Sequence, residues 1–189
     1  MKILQDSCRI FCKDMMTEKE TILAYLDEKG IRYTAFSHPV TDDLPGKLAN
    51  DAAAGVFGAT HCKNLVLSNR QKTKFYLLTM PFGKRFRTGP VSRQMASSRL
   101  SFAENEILEG ILHTHSGMVS PLELIFDEKK EIAFSMDREL KDAEKICFHP
   151  SDDTVTVVLE NKEFFEKFLP AAGIAVNFVN IELIEEEEA

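Results

Sequence analysis

The sequence predicts an α+β domain built around a curved mixed sheet. Three observations carry that reading. Apolar residues recur at helical spacing in some segments and in short strand-like runs in others. The two kinds mix without a regular βαβ rhythm. No internal repeat or linker divides the 189 residues, a length that fits one domain. Residues 1–14 read as an extension, with Met15 or Met16 as an alternative start, and 15–189 as the domain.

Thr17-Glu18-Lys19-Glu20 matches a capping box, in which Thr17 caps the helix and Glu20 reaches back. Ile22, Leu23 and Leu26 supply its apolar face, and Gly30 stops it. Ile31 to Ser37 predicts a strand, broken by His38-Pro39. Leu48 to Phe57 is alanine-rich and predicts a helix. Lys63 to Ser68 and Lys74 to Thr79 predict a hairpin around the polar turn Asn69 to Thr73. A helix over Val91 to Ala96 follows Gly89-Pro90. Ser101-Phe102-Ala103-Glu104 reads as a second capping box, leading a helix that buries Ile107, Leu108, Ile111 and Leu112. His113 to Pro121 reads as a loop, and Ile132 to Met136 and Thr154 to Leu159 as strands. A helix to Ala172, starting at Asn161 or Lys162, and a strand over Ala175 to Val179 complete the set.

Composition is that of an ordinary globular protein, with 44% hydrophobic and 28% charged residues. Fourteen Phe and no Trp imply a phenylalanine-rich core. No run reaches membrane-spanning length, and the first residues lack a signal-peptide core; a cytoplasmic protein without membrane contact is expected. The cysteines are Cys8, Cys12, Cys62 and Cys147. The C-x-x-x-C spacing of the first two is a weak signal, and reduced thiols are expected.

The net charge of −7 argues against a nucleic-acid binder, but its distribution does not. Ala52 to Ala103 contains no Asp or Glu, yet holds Lys63, Arg70, Lys72, Lys74, Lys84, Arg85, Arg87, Arg93 and Arg99. Either this span forms a basic face for phosphates, or acids from other segments balance it in space. Much of the opposite charge lies elsewhere, for example in Glu185 to Glu188.

Three segments carry candidate chemistry: His61-Cys62-Lys63-Asn64-Leu65, Gly117-Met118-Val119-Ser120-Pro121 and His149-Pro150. Lys63 opens an apolar strand. It either snorkels to water or holds a phosphate or the negative charge that develops on an ester under attack. Asn64 serves the same site or caps a turn. The Gly-to-Pro segment is either a plain connection or a loop that aims successive N–H groups at a carbonyl oxygen. His149, held extended by Pro150, positions a water or a ribose, or bonds structurally. His113 and His115 with His149 and Cys62 make a diffuse zinc set that no standard spacing supports. No metal or cofactor is expected.

Together the motifs at 61–65, 117–121 and 149–150 resemble the YbaK/prolyl-tRNA synthetase-associated editing family, in order and spacing. Arg99-Leu100-Ser101-Phe102-Ala103 is similar to its free-standing PrdX/ProX-like branch, which acts on alanyl-tRNA(Pro). The resemblance spans about Met16 to Leu183. It implies a barrel-like curved mixed sheet with flanking helices, no metal, and a pocket for the aminoacyl-adenosine end of tRNA. It implies Lys63, Gly117 and His149 as catalytic residues, and Asn64, Met118, Val119, Ser120 and Pro121 as substrate-binding. Arg70, Lys84, Arg85, Arg87 and Arg93 would meet the tRNA. The expected activity is hydrolysis of a mischarged aminoacyl-tRNA, with the acceptor end of tRNA and prolyl-tRNA synthetase as partners. The alternatives are a non-catalytic regulator that binds aminoacyl-tRNA or the synthetase, and a deacylase for cysteine or serine. Two departures bear on tRNA contact: Ser151-Asp152-Asp153-Thr154 is more acidic than the branch's pattern, and Thr88-Gly89-Pro90 replaces a more helical stretch that contains lysine.

Overall fold

A computed structural model describes residues 16–40 and 44–182, leaving aside the side chains of Leu44 and Pro45. The expected extension at 1–14 and the run Glu185 to Glu188 lie outside these residues.

Helix α1 (Glu18–Glu28) begins as its sequence predicts. The Thr17 hydroxyl accepts from the Glu20 N–H at 3.3 Å, and the Glu20 carboxylate accepts from the Thr17 N–H at 2.8 Å. Both donors would otherwise lack a partner at the helix end. Gly30 closes the helix at φ +63°, an angle that a Cβ would strain. Ile22 and Leu26, one turn apart, are fully buried and anchor α1 to the core.

Eight strands follow: β1 (Tyr33–Ser37), β2 (Thr60–Ser68), β3 (Phe75–Pro81), β4 (Ser101–Phe102), β5 (Ile132–Asp137), β6 (Lys145–Phe148), β7 (Val155–Glu160) and β8 (Val176–Val179). They form one mixed sheet in the order β1-β7-β6-β2-β3-β5-β8, with β4 beside β2. β2 and β3 make the predicted antiparallel hairpin, with Asn64 opposite Thr79. Its turn is tied by Asn69, whose Oδ1 accepts from the N–H groups of Thr73 and Lys74. β3, β5 and β8 run parallel. β2 belongs to both halves of the sheet: Thr60 and His61 pair with Ile146 and Cys147 of β6, and Cys62 to Ser68 pair with β3.

Strand alternation sends side chains to two apolar layers. Val66 and Leu77 join the main core with Phe134, Phe148, Phe164 and Phe168. Leu67, Tyr76, Leu78 and Met80 join a smaller core with Val91 and Leu100. Burial on both faces explains why β3 reads as a continuous apolar run. The remaining helices are α2 (Leu44–Ala54), α3 (Thr88–Gln94), α4 (Asn105–Ile107) and α5 (Leu169–Ala171). α4 continues as a π turn over Leu108–Leu112, and a π stretch over Glu163–Phe168 leads into α5. Among the described residues, no helix is long and apolar enough to cross a membrane.

Two local expectations are corrected. Ser101 does not cap a helix, because Ser101 and Phe102 are spent pairing with Ser68 and Leu67. The helix starts later, after Glu104, which makes no side-chain cap and instead pairs with Lys72. The segment around Pro121 is not all loop. Ser120 caps a 3-10 helix over Pro121–Ile125, with Glu123 as its reciprocal partner. Strand β6 was not anticipated: Ile146, Cys147 and Phe148 are all buried, so its short run shows no alternation.

Candidate active site

A cavity of about 200 Å³ forms where β2, α2, the end of β6 and the 117–119 turn converge. His61, Cys62, Lys63 and Asn64 line it from β2, and Gly117, Met118 and Val119 from the turn. Phe148 and His149 come from the end of β6, and Phe82 closes one side. Lys47, Leu48 and Asp51 line it from α2, sharing a helix face at i, i+1 and i+4. The three segments singled out from sequence thus meet at one place.

Lys63 and Asn64 leave opposite faces of β2. The Asn64 Oδ1 accepts from the Thr79 hydroxyl across the strand pair at 2.7 Å. The Lys63 ammonium donates to the Lys84 carbonyl and lies 5.5 Å from the centre of the Phe82 ring. A lysine has three donors, so others remain for a ligand. Burial, and then the nearby Arg85 charge, lower the Lys63 pKa from its ordinary value.

Gly117 sits at φ +92°, which favours glycine at this corner of the turn. The Met118 N–H donates to the His115 carbonyl at 3.1 Å. Among the described residues, the N–H groups of Gly117 and Val119 have no protein acceptor. Ser120 and Pro121 do not line the cavity. Both are buried; the Ser120 N–H is held by Glu123 and its hydroxyl accepts from the Leu122 N–H. They shape the turn from behind the cavity wall. Glu123 is itself wholly buried, and its other oxygen accepts from the Ser151 hydroxyl at 3.0 Å. This buried carboxylate therefore ties the 117–121 turn to the segment that follows His149.

Sequence reasoning missed the centre of the site, which is Asp51. This fully buried carboxylate lies 2.9 Å from His61 Nε2 through one oxygen and accepts from the Thr156 hydroxyl at 2.5 Å through the other. The Nε2 atoms of His38 and His149 lie 3.0 and 3.1 Å from that hydroxyl oxygen. One acid thus orients three imidazoles. Burial is the main cause lowering the His149 pKa, with Asp51 opposing it, so the neutral ring is favoured. The available signal was Asp51 itself, an acid within an alanine-rich helix.

The imagined zinc set does not assemble around His113 and His115. Donor atoms that gather within 4.8 Å of one another belong to His38, Asp51 and His149, and the Thr156 hydroxyl bridges them. His113 instead stacks on Phe126.

The basic residues divide. Arg70, Arg85, Arg87 and Arg93 are exposed. Lys84 is corrected as a tRNA contact: it is 6% exposed and ion-paired to Asp137 at 2.8 Å and Glu139 at 2.7 Å. Its charge is used inside the protein. The acids expected to repel phosphate are also engaged, Asp152 with Lys19 and Asp153 with Lys47.

Residues 47–167, which hold every wall of this cavity, match the aminoacyl-tRNA editing domain family. The chain belongs to that family. This editing domain is similar to the prolyl-tRNA editing protein ProX of Acetoanaerobium sticklandii, at 29% identity over 160 residues, covering 84% of this chain and 94% of ProX. It is also similar to prolyl-tRNA synthetase associated domain-containing protein 1 of Mus musculus, at 28% identity, covering 62% of this chain and 73% of the mouse protein. A crystal structure of a candidate trans-editing enzyme for prolyl tRNA synthetase shares the fold at a TM-score of 0.66 and 15% identity, covering 89% of this chain and 98% of that one. The α+β mixed sheet read from the sequence is thus the editing-domain fold.

Proposed function

We propose that this editing domain acts in trans as a hydrolase that cleaves the ester of mischarged tRNA, with alanyl-tRNA(Pro) as its principal substrate. The observation that carries this reading is the convergence of Lys63, Asn64, the 117–119 turn and His149 on one small cavity. The similarity to ProX supports the choice of tRNA.

An aminoacyl ester is already activated, so water suffices as nucleophile. The N–H groups of Gly117 and Val119 receive the carbonyl oxygen as it gains charge, an interaction worth about 3–4 kcal/mol per donor in a preorganised site. Lys63 anchors the tRNA terminus and stabilises the same charge. His149, neutral and fixed through Thr156 and Asp51, positions the water or the terminal ribose, whose free hydroxyl carries the proton. Selectivity follows from size. A synthetase pocket for proline cannot sterically exclude the smaller alanine, and each of the two carbons that alanine lacks is worth only about 1–3 kcal/mol. A second, smaller cavity that admits alanine and excludes proline corrects the error.

Lys63→Ala is expected to abolish deacylation of alanyl-tRNA(Pro) while leaving the melting temperature near that of the wild type, since the ammonium is only half-buried. Full activity in this variant would remove Lys63 from the mechanism. A panel of tRNAs charged with alanine, cysteine or serine identifies the substrate, and binding without turnover across the panel would favour a regulator.

A further inference from the structure

We propose that His38, Asp51 and His149 form a binding site for a divalent transition-metal ion of the zinc class, beside the cavity. The ion regulates that cavity and is not a cofactor of hydrolysis; its effect on turnover rests on the editing reading.

The donor atoms of these three residues lie within 4.8 Å of one another, and His38 Nε2 is 3.5 Å from Asp51 Oδ1. A zinc ion about 2.0–2.1 Å from two tetrahedral ligands holds them about 3.4 Å apart. Two imidazoles and one carboxylate are a common ligand set for such ions. Three protein ligands leave one tetrahedral position for water. Asp51 and His149 both line the cavity, which gives the ion its route in.

Proton accounting supports a cation at this point. His38 Nδ1 is 3.1 Å from the Pro39 carbonyl oxygen. A carbonyl only accepts, so Nδ1 carries the proton and a neutral ring keeps its lone pair on Nε2. That lone pair faces the Thr156 hydroxyl oxygen at 3.0 Å. The hydroxyl has one proton, and Asp51 accepts it. Bare nitrogen therefore meets bare oxygen unless a positive charge sits between His38 and Asp51. A metal ion supplies that charge. The surrounding bonds fit the same role, because a metal-binding imidazole commonly donates its other N–H to a backbone carbonyl, as His38 does to Pro39. His61 holds the other Asp51 oxygen at 2.9 Å.

The test is calorimetric titration of zinc into the full chain carrying Cys8→Ser and Cys12→Ser, so that those thiols do not compete. One ion per chain is expected, and no binding of magnesium, which imidazole suits poorly. His38→Ala and His149→Ala are each expected to weaken zinc binding by more than about 100-fold, beyond the roughly 10- to 100-fold cost of losing a partner of a ligand. His61→Ala is expected to fall in that lower range, and His115→Ala, at an exposed position, to change nothing. Melting of the metal-free variants checks that each is folded. Absence of zinc binding would mean that a proton on His38 supplies the charge, and would overturn the proposal; so would unchanged affinity in His38→Ala. Hydrolysis of mischarged tRNA, assayed with and without zinc, separates the two readings. Bound zinc occupies His149, so turnover is expected to fall and a chelator to restore it. Turnover unchanged by bound zinc would overturn the regulatory role. Turnover in a chain that binds no zinc sinks the metal site alone. Zinc binding by a chain that hydrolyses no mischarged tRNA sinks the hydrolase reading alone.

Discussion

At the scale of single residues, Glu123 has the clearest measurable consequence. Burial, opposed by hydrogen bonds from Ser120 and Ser151, raises its pKa to about 7 from the carboxylate value of 4.5. Between those two values the folded state holds a proton that the unfolded chain has released. Folding is therefore favoured at the acid end of this window and loses stability as pH rises through about 7, by up to about 1.4 kcal/mol per pH unit. Glu123→Gln keeps a similar shape and removes the titration. Its urea-unfolding stability is expected to show a flatter dependence than the wild type between about pH 5 and 7.5. An identical slope in both proteins would mean that Glu123 is charged throughout. At this scale the sequence was legible where a residue announces itself, as with Lys63 in an apolar strand, Gly117 at a sharp turn and His149 before proline. It was silent on Thr156, which reads as an ordinary β-branched strand residue. Its value to the site comes from Asp51, 105 residues earlier in the chain.

At the scale of elements, six of the eight strands were legible because apolar runs and the Asn69 turn are local signals, while β4 and β6 were not. What escaped depended on distant pairing. Ser101 carries the letters of a helix cap, yet Ser68 and Leu67 claim its segment for the sheet. Lys84 reads as a surface base until β3 and β5, joined in parallel, bring Asp137 to it. The phenylalanine-rich core was expected, and its organiser is the π stretch before α5. Phe164 there is fully buried and meets Phe134, Phe148, Phe165 and Phe168 at ring separations of 5.3 to 6.3 Å. Phe164→Ala is expected to destabilise the fold by about 3–5 kcal/mol, read from the urea midpoint. A loss under about 1 kcal/mol would show that the neighbouring rings can refill the space.

At the scale of the whole molecule, an acidic protein keeps exposed arginines within an acid-free span, while several of its acids are tied to lysines elsewhere. Net charge thus says little about the face that meets a ligand. The join between the two half-sheets matters in the same way. It consists of two residue pairs, Thr60 with Ile146 and His61 with Cys147, directly beside the cavity walls. So short a seam is the part of the sheet expected to breathe first, and a substrate lodged against both sides would act as a splint. Hydrogen–deuterium exchange should therefore find the amides of β6 among the faster of the buried strands in the free protein. They should slow when a non-hydrolysable aminoacyl-adenosine is added, and unchanged exchange would mean that the seam is already rigid. Fidelity in this molecule would then depend on how tightly a small guest draws two hinged panels together.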